Sequence, residues 1–137
     1  GMSETDYNPF ALDVPFLRHI GIEPVLIQRD KVIGRITPRP ELMNSWDSVH
    51  GGVVMTALDC IMSVAARTAH QHPGGALTIE MKTSFIAAAV GPFTVEGRLL
   101  HGGKSIQFCE AEARDEQGKL LAKSLGTFKL LPKNAGS

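Results

Sequence analysis

From Gly51 to about Ala69 the apolar positions run around most of a helical wheel: Val53, Val54, Met55, Ala57, Leu58, Ile61, Met62, Val64, Ala65, Ala66 and Ala69. A helix that is apolar on nearly every side is buried rather than laid on a surface. His72-Pro73-Gly74-Gly75 ends it. After that point the period changes from the helical 3.6 to the strand value of 2. Ile79, Met81, Thr83 and Phe85 alternate with Thr78, Glu80, Lys82 and Ser84. Gly91-Pro92 breaks that strand, and Phe93 to Leu100 forms the next. The turn His101-Gly102-Gly103-Lys104 leads into Ile106 to Arg114, which alternates again. Asp115-Glu116-Gln117-Gly118 is a hairpin turn before a last strand from Leu120 to Leu131.

Upstream the pattern is weaker. Asn8-Pro9-Phe10-Ala11-Leu12 and Pro15-Phe16-Leu17 suggest a short N-terminal helix with apolar anchors. Glu23 to Gln28 and Lys31 to Thr37 read as two strands around Arg29-Asp30, and Pro38 to Val49 as loop. The order is helix, two strands, one long buried helix, four strands. Successive hairpins give an antiparallel sheet, so the class is α+β. A single sheet must cover one very apolar helix, and a sheet curved around it does so. The 137 residues make one domain, with a core expected at about 10–131 and loose ends at 1–7 and 132–137.

Composition narrows the function classes. Apolar residues at 43% and charged residues at 20% are ordinary for a globular chain. Fourteen basic and fourteen acidic side chains cancel, and no basic block stands out, which gives no support for nucleic-acid binding. The sequence suggests no membrane span and no signal peptide, since the start is polar. Cys60 and Cys109 sit in apolar stretches, where a free thiol behaves as a small hydrophobe; a reducing, cytoplasmic setting is expected.

The chemistry concentrates at the start of the long helix. Asn44 precedes a short loop, then His50-Gly51-Gly52, then Thr56 and Asp59. A carboxylate two turns inside an apolar helix needs a compensating reason. In this motif and its spacing the chain resembles the hotdog-fold thioesterases, in particular the PaaI-type acyl-CoA thioesterase family. Softer matches are Thr78 to Phe85, the Gly103-Lys104 turn, and Gly118 to Phe128, so the resemblance spans about Phe10 to Leu131. It implies a hotdog fold, a curved antiparallel sheet around one long central helix. It also implies hydrolysis of an acyl-CoA thioester to a carboxylic acid and free CoA. No cofactor is implied, because coenzyme A enters as part of the substrate. A hotdog protein that binds CoA or an acyl ligand without catalysis is the alternative, although all the matched residues are present.

Thioester hydrolysis needs a polarised carbonyl oxygen and an activated water or a direct nucleophile. The free N–H groups and dipole of a helix start suit an oxyanion. The resemblance makes the Gly51 N–H that donor and Asp59 the nucleophile or general base. It makes Asn44 a positioning amide, His50 a polar group orienting the site, and Thr78 a hydroxyl that orients water. Each also has a plain structural reading: Asn44 as a turn residue, His50 as a helix cap, Thr78 as a strand residue.

Geometry adds a condition. Eight helical residues separate Gly51 from Asp59, a rise of roughly 12 Å with directions about 80° apart. Reacting groups must approach to roughly 3–3.5 Å. One helix can hardly present both groups to a single carbonyl, so the simplest arrangement is a homodimer with two composite sites. The resemblance implies the same, often as a homotetramer of two dimers. It also places the CoA moiety at His101-Gly102-Gly103-Lys104-Ser105, where glycine N–H groups and Lys104 can meet phosphate. Phe85 falls within the matched strand and joins the expected substrate-binding residues. His70 and His72 lack a third partner for a metal, and Trp46 reads as loop packing or part of an acyl pocket.

Overall fold

The computed structural model describes residues 14–133. Helix α1 (Pro15–Ile20) leads into strands β1 (Glu23–Ile27) and β2 (Val32–Ile36). The long helix α2 (Gly51–Ala69) precedes β3 (Ala76–Phe85), β4 (Phe93–Gly102), β5 (Ile106–Asp115) and β6 (Leu120–Leu130). The strands form one antiparallel sheet in the order β1-β2-β4-β5-β6-β3, curved around α2 as the α+β hotdog reading requires. Pro15 to Leu17 lies in α1 as expected. The segment Asn8 to Leu12 and the ends at 1–7 and 134–137 lie outside the described residues.

Close approach of helix and sheet organises the core. Leu58, Ile61 and Met62 have no exposed surface. Ile61 rests on two glycines of neighbouring strands. A Cβ on Gly34 would stand 2.8 Å from Ile61 Cδ1, and one on Gly97 would stand 2.7 Å from Ile61 Cγ2. Met62 rests on Gly126 in the same way, with 3.1 Å from a built Cβ to its Cε. Any side chain at these positions would push α2 off the sheet. Among the described residues α2 is the one helix long and apolar enough to cross a bilayer, and the sheet occupies its apolar faces. Gly52, Thr56, Asp59 and Ser63, at helical spacing, form a stripe the sheet covers only in part.

Three expectations need correction. The regular alternation of β3 fails because the register with β6 slips between Thr78 and Glu80. Ile79 is the extra residue of a bulge. Thr78 therefore turns toward α2 together with Met81 and Thr83, while Ile79 and Glu80 both face outward. The supposed turn at His101-Gly102 is the end of β4, since His101 pairs with Phe108 and Gly102 with Gln107; the turn proper begins at Gly103. The stretch from Pro38 to Val49 is not plain loop. It carries a 3₁₀ turn (Pro40–Leu42) and a bridge from Met43 to Val49.

The two sheet edges differ. β1 is five residues long, contains Pro24 and is bulged between Pro24 and Leu26, features that blunt an edge against further pairing. β3 is ten residues long and leaves its outer side open, with Leu77 and Ile79 exposed.

Substituting Gly97 with valine should destabilise the fold by about 1–3 kcal/mol through overpacking against Ile61. Combining it with Ile61→Val should recover part of that loss. Thermal unfolding of the two single variants and the double variant measures the coupling; strict additivity would refute the proposed contact.

Candidate active site

The start of α2 separates the roles of its two glycines. His50 is the N-cap, and its Nδ1 accepts the Gly52 N–H at 2.9 Å. That bond leaves the neutral ring with its proton on Nε2. A Cβ on Gly52 would lie 3.0 Å from His50 Nδ1, so Gly52 makes room for the capping ring. Gly51 answers to neither demand. Its backbone does not have a positive φ, and a Cβ there would meet only the Phe85 ring at 3.5 Å, an ordinary contact. Its N–H makes no hydrogen bond among the described residues. The helix dipole adds positive potential at this unpartnered donor.

Asn44 faces the same place from the preceding loop. Its Oδ1 accepts from Trp46 N at 2.9 Å, Ser48 N at 3.2 Å and Ser48 Oγ at 3.1 Å. With the oxygen committed to the loop, the amide nitrogen is the end left to donate, and it has no partner among the described residues. Ser48, which is buried, was not foreseen; an Asn followed four residues later by Ser was the available signal. Asp47 completes the turn at φ 56. A cleft of about 360 Å³ opens beside Gly51, lined by Asn44, Ser48, Val54, Phe85 and Leu121. A wider depression of about 650 Å³ on the other side of Asn44 holds neither Gly51 nor Asp59. Trp46 is 85% exposed, so its indole packs on nothing in its own loop.

Asp59 lies two turns away, half-buried on the partly covered stripe. Thr78 Oγ1 donates to its Oδ1 at 2.6 Å, a short charge-assisted bond. The Ile79 bulge aims that hydroxyl inward. Thr56, the nearer residue in sequence, instead donates to Gly52 O at 2.8 Å. Asp59 Oδ2 makes no hydrogen bond among the described residues. One carboxylate oxygen is thus pinned and the other is left without a hydrogen bond among the described residues.

The expected site residues therefore fall into three groups. Asn44, His50, Gly51 and Phe85 gather at the start of α2. Asp59 and Thr78 form a second pair. The turn Gly103-Lys104-Ser105 lies at the far end of α2, tied to it through His70, whose Nε2 is 2.7 Å from Gln107 Oε1. His101 points outward and its ring tilts against Phe108, with centroids 6.3 Å apart. His72 Nε2 is 2.6 Å from Leu131 O, so both histidines have hydrogen-bond partners of their own.

Comparison with known proteins gives this geometry a class, the thioesterases. The sequence profile of the Thioesterase superfamily matches residues 47–122, a span that includes His50, Gly51, Asp59 and Thr78, and the chain belongs to that superfamily. A Saccharolobus solfataricus protein provisionally named an esterase is 31% identical over 128 residues, covering 93% of this chain and 85% of that protein. The 1,4-dihydroxy-2-naphthoyl-CoA hydrolase of Listeria monocytogenes is 26% identical over 110 residues, covering 80% and 89%. Among solved structures, the conserved protein PA5202 of Pseudomonas aeruginosa superposes with a TM-score of 0.81 at 30% identity, covering 85% and 94%. The E. coli PaaI protein of the phenylacetic acid degradation operon superposes at 0.77 with 18% identity, covering 85% and 83%.

Cys60 adjoins Asp59, but its thiol is held protonated and unreactive. Burial, reinforced by the Asp59 charge, pushes its thiol up to about 12, and burial does the same to Cys109. Native protein at pH 8 should resist iodoacetamide, and both thiols should label after guanidinium unfolding. Mass spectrometry of the alkylated chain checks this, and rapid labelling of native Cys60 would contradict it.

Proposed function

We propose that the protein is an acyl-CoA thioesterase whose active sites are shared between two copies of the chain. The observation that carries this reading is the pairing of an unpartnered Gly51 N–H with a carboxylate that Thr78 holds by one oxygen only. In each site the thioester carbonyl sits against Gly51 of one subunit, with Asn44 and His50 beside it. Asp59 and Thr78 come from the other subunit. Asp59 either takes a proton from water, whose hydroxide adds to the carbonyl carbon, or adds to that carbon itself and is released by water afterwards. On both routes the Gly51 N–H stabilises the oxyanion, and its collapse expels the CoA thiolate. The products are a carboxylic acid and free CoA. The Listeria relative, by its name, hydrolyses a CoA thioester, which supports this substrate class.

Edge strand β3 supplies the way to join two chains. Thr78 stands next to Asp59 and Phe85 next to Gly51. Bringing Gly51 to the partner's Asp59 puts the two-fold axis midway between Thr78 and Phe85, at Met81 or Lys82. In an antiparallel pair, residues directly opposite share a face, so a residue on the axis faces its own copy. An axis at Lys82 would oppose two lysines. An axis at Met81 opposes Glu80 to Lys82 of the partner subunit, twice over, and like charges directly opposite are destabilising. The charges therefore favour Met81. A homotetramer of two such dimers is compatible with this arrangement.

Two sets of variants test the reading. Gly51→Pro removes the donor at the first helical position, where proline is accepted, and His50 already has the extended backbone that a following proline needs (φ −55, ψ 134). Turnover of acyl-CoA substrates should fall by about 10²–10³ with the fold retained. Asp59→Asn should abolish hydrolysis with the assembly intact. Wild-type turnover in either variant would overturn the proposal. For the interface, Glu80→Lys should weaken the dimer in sedimentation equilibrium, and the exchange Glu80→Lys with Lys82→Glu should restore both dimer and activity. A dimer indifferent to both variants would refute the register.

A further inference from the structure

Gln107 has no exposed surface, and no role proposed so far uses it. It occupies an inward position of β5, followed at the strand period by Cys109, Ala111 and Ala113. An amide there is costly unless its bonds are made. Its Nε2 donates to Gly103 O at 2.9 Å, and its Oε1 accepts from His70 Nε2 at 2.7 Å. The direction of the amide follows from Gly103, whose carbonyl can only accept. His70 is the C-cap of α2. A side chain on Gly102 would fall on the Gln107–His70 bond, with its Cβ 2.9 Å from His70 Nε2. Two further bonds close the turn, Gly103 N to Ile106 O and Leu130 N to Ser105 O, both 2.8 Å. Lys104 at its tip is exposed and has no ion-pair partner among the described residues.

We infer that Gln107 and His70 are positioning residues for the phosphate end of the substrate. They lock the turn Gly103-Lys104-Ser105 to the end of α2, so that Lys104 is held ready for the CoA pyrophosphate. This rests on the acyl-CoA reading of the site. Length supports it. Eleven helical residues separate Asp59 from His70, a rise of roughly 16 Å. Pantetheine from sulfur to the first phosphorus has about as many bonds as four extended residues, a reach of roughly 15 Å. A thioester at Asp59 with its arm laid along the partly covered stripe of α2 brings its first phosphate to this turn.

The test compares steady-state kinetics on acyl-CoA and on the same acyl group carried by pantetheine, which lacks the nucleotide and pyrophosphate. For Gln107→Leu and for His70→Ala, KM for acyl-CoA should rise about tenfold while kcat holds. KM for acyl-pantetheine should stay at the wild-type value. Lys104→Ala should show the same split. His70 is exposed, so its variant serves even if Gln107→Leu folds poorly. Lys104→Ala with unchanged KM for acyl-CoA would overturn the turn's contact with CoA. A raised KM in Lys104→Ala but not in His70→Ala or Gln107→Leu would overturn the positioning role alone. Equal losses on both substrates would make the pair merely structural and also refute it.

Discussion

Everything in this molecule depends on how closely α2 can lie on the sheet. Ile61 and Met62 reach the backbone of β2, β4 and β6 because Gly34, Gly97 and Gly126 have no side chain in the way. A core packed at this density has little freedom to shift, so the helix is fixed in height and in rotation. That rotation decides which stripe of α2 escapes the sheet, and Asp59 lies on it. The same seating brings Thr78 within hydrogen-bond distance of Asp59 and the ring of Phe85 up to Gly51. The polar chemistry is therefore positioned by apolar contacts that take no part in it.

The two adjacent glycines at the helix start show how local demands divide. Gly52 yields space to the His50 ring, whose bond closes the cap. Gly51 is under no such constraint and keeps its N–H open. His50 is engaged as a cap through Nδ1, and its remaining proton sits on the opposite nitrogen, so capping and a polar role near the substrate are compatible. Asn44 is similar: its oxygen holds the loop, and its nitrogen is left for other work.

Much of this was legible in the chain itself. The unbroken apolar circumference of Gly51–Ala69 marked the central helix, and strand-like segments bounded by turn residues, two of them clearly alternating, marked the six strands. The spacing of Asn44, Gly51 and Asp59 marked the candidate site. What could not be read depends on tertiary contact. The bulge at Ile79 leaves no trace in a pattern of alternating residues, so the alternation grouped Ile79 rather than Thr78 with Met81 and Thr83. The turn after β4 was placed two residues early because glycines usually signal a turn. Gly102 is a glycine for another reason, the Gln107–His70 bond passing beside it. Gln107 itself read as an ordinary strand residue, since burial of an amide shows only when both partners are in place. Trp46 invited a packing role that its exposure removes.

The Ile79 bulge carries a wider implication for how the chain tolerates change. Residues on either side of it obey opposite in–out parity, so the strand behaves as two reading frames joined at one point. Deleting that single residue would give a regular ladder with β6 and leave Thr78 facing inward, whereas keeping Ile79 and slipping the upstream register by one would turn the Thr78 hydroxyl to solvent. A designer tidying the edge strand must therefore shorten it by one residue rather than shift its register, or the bond to Asp59 is lost.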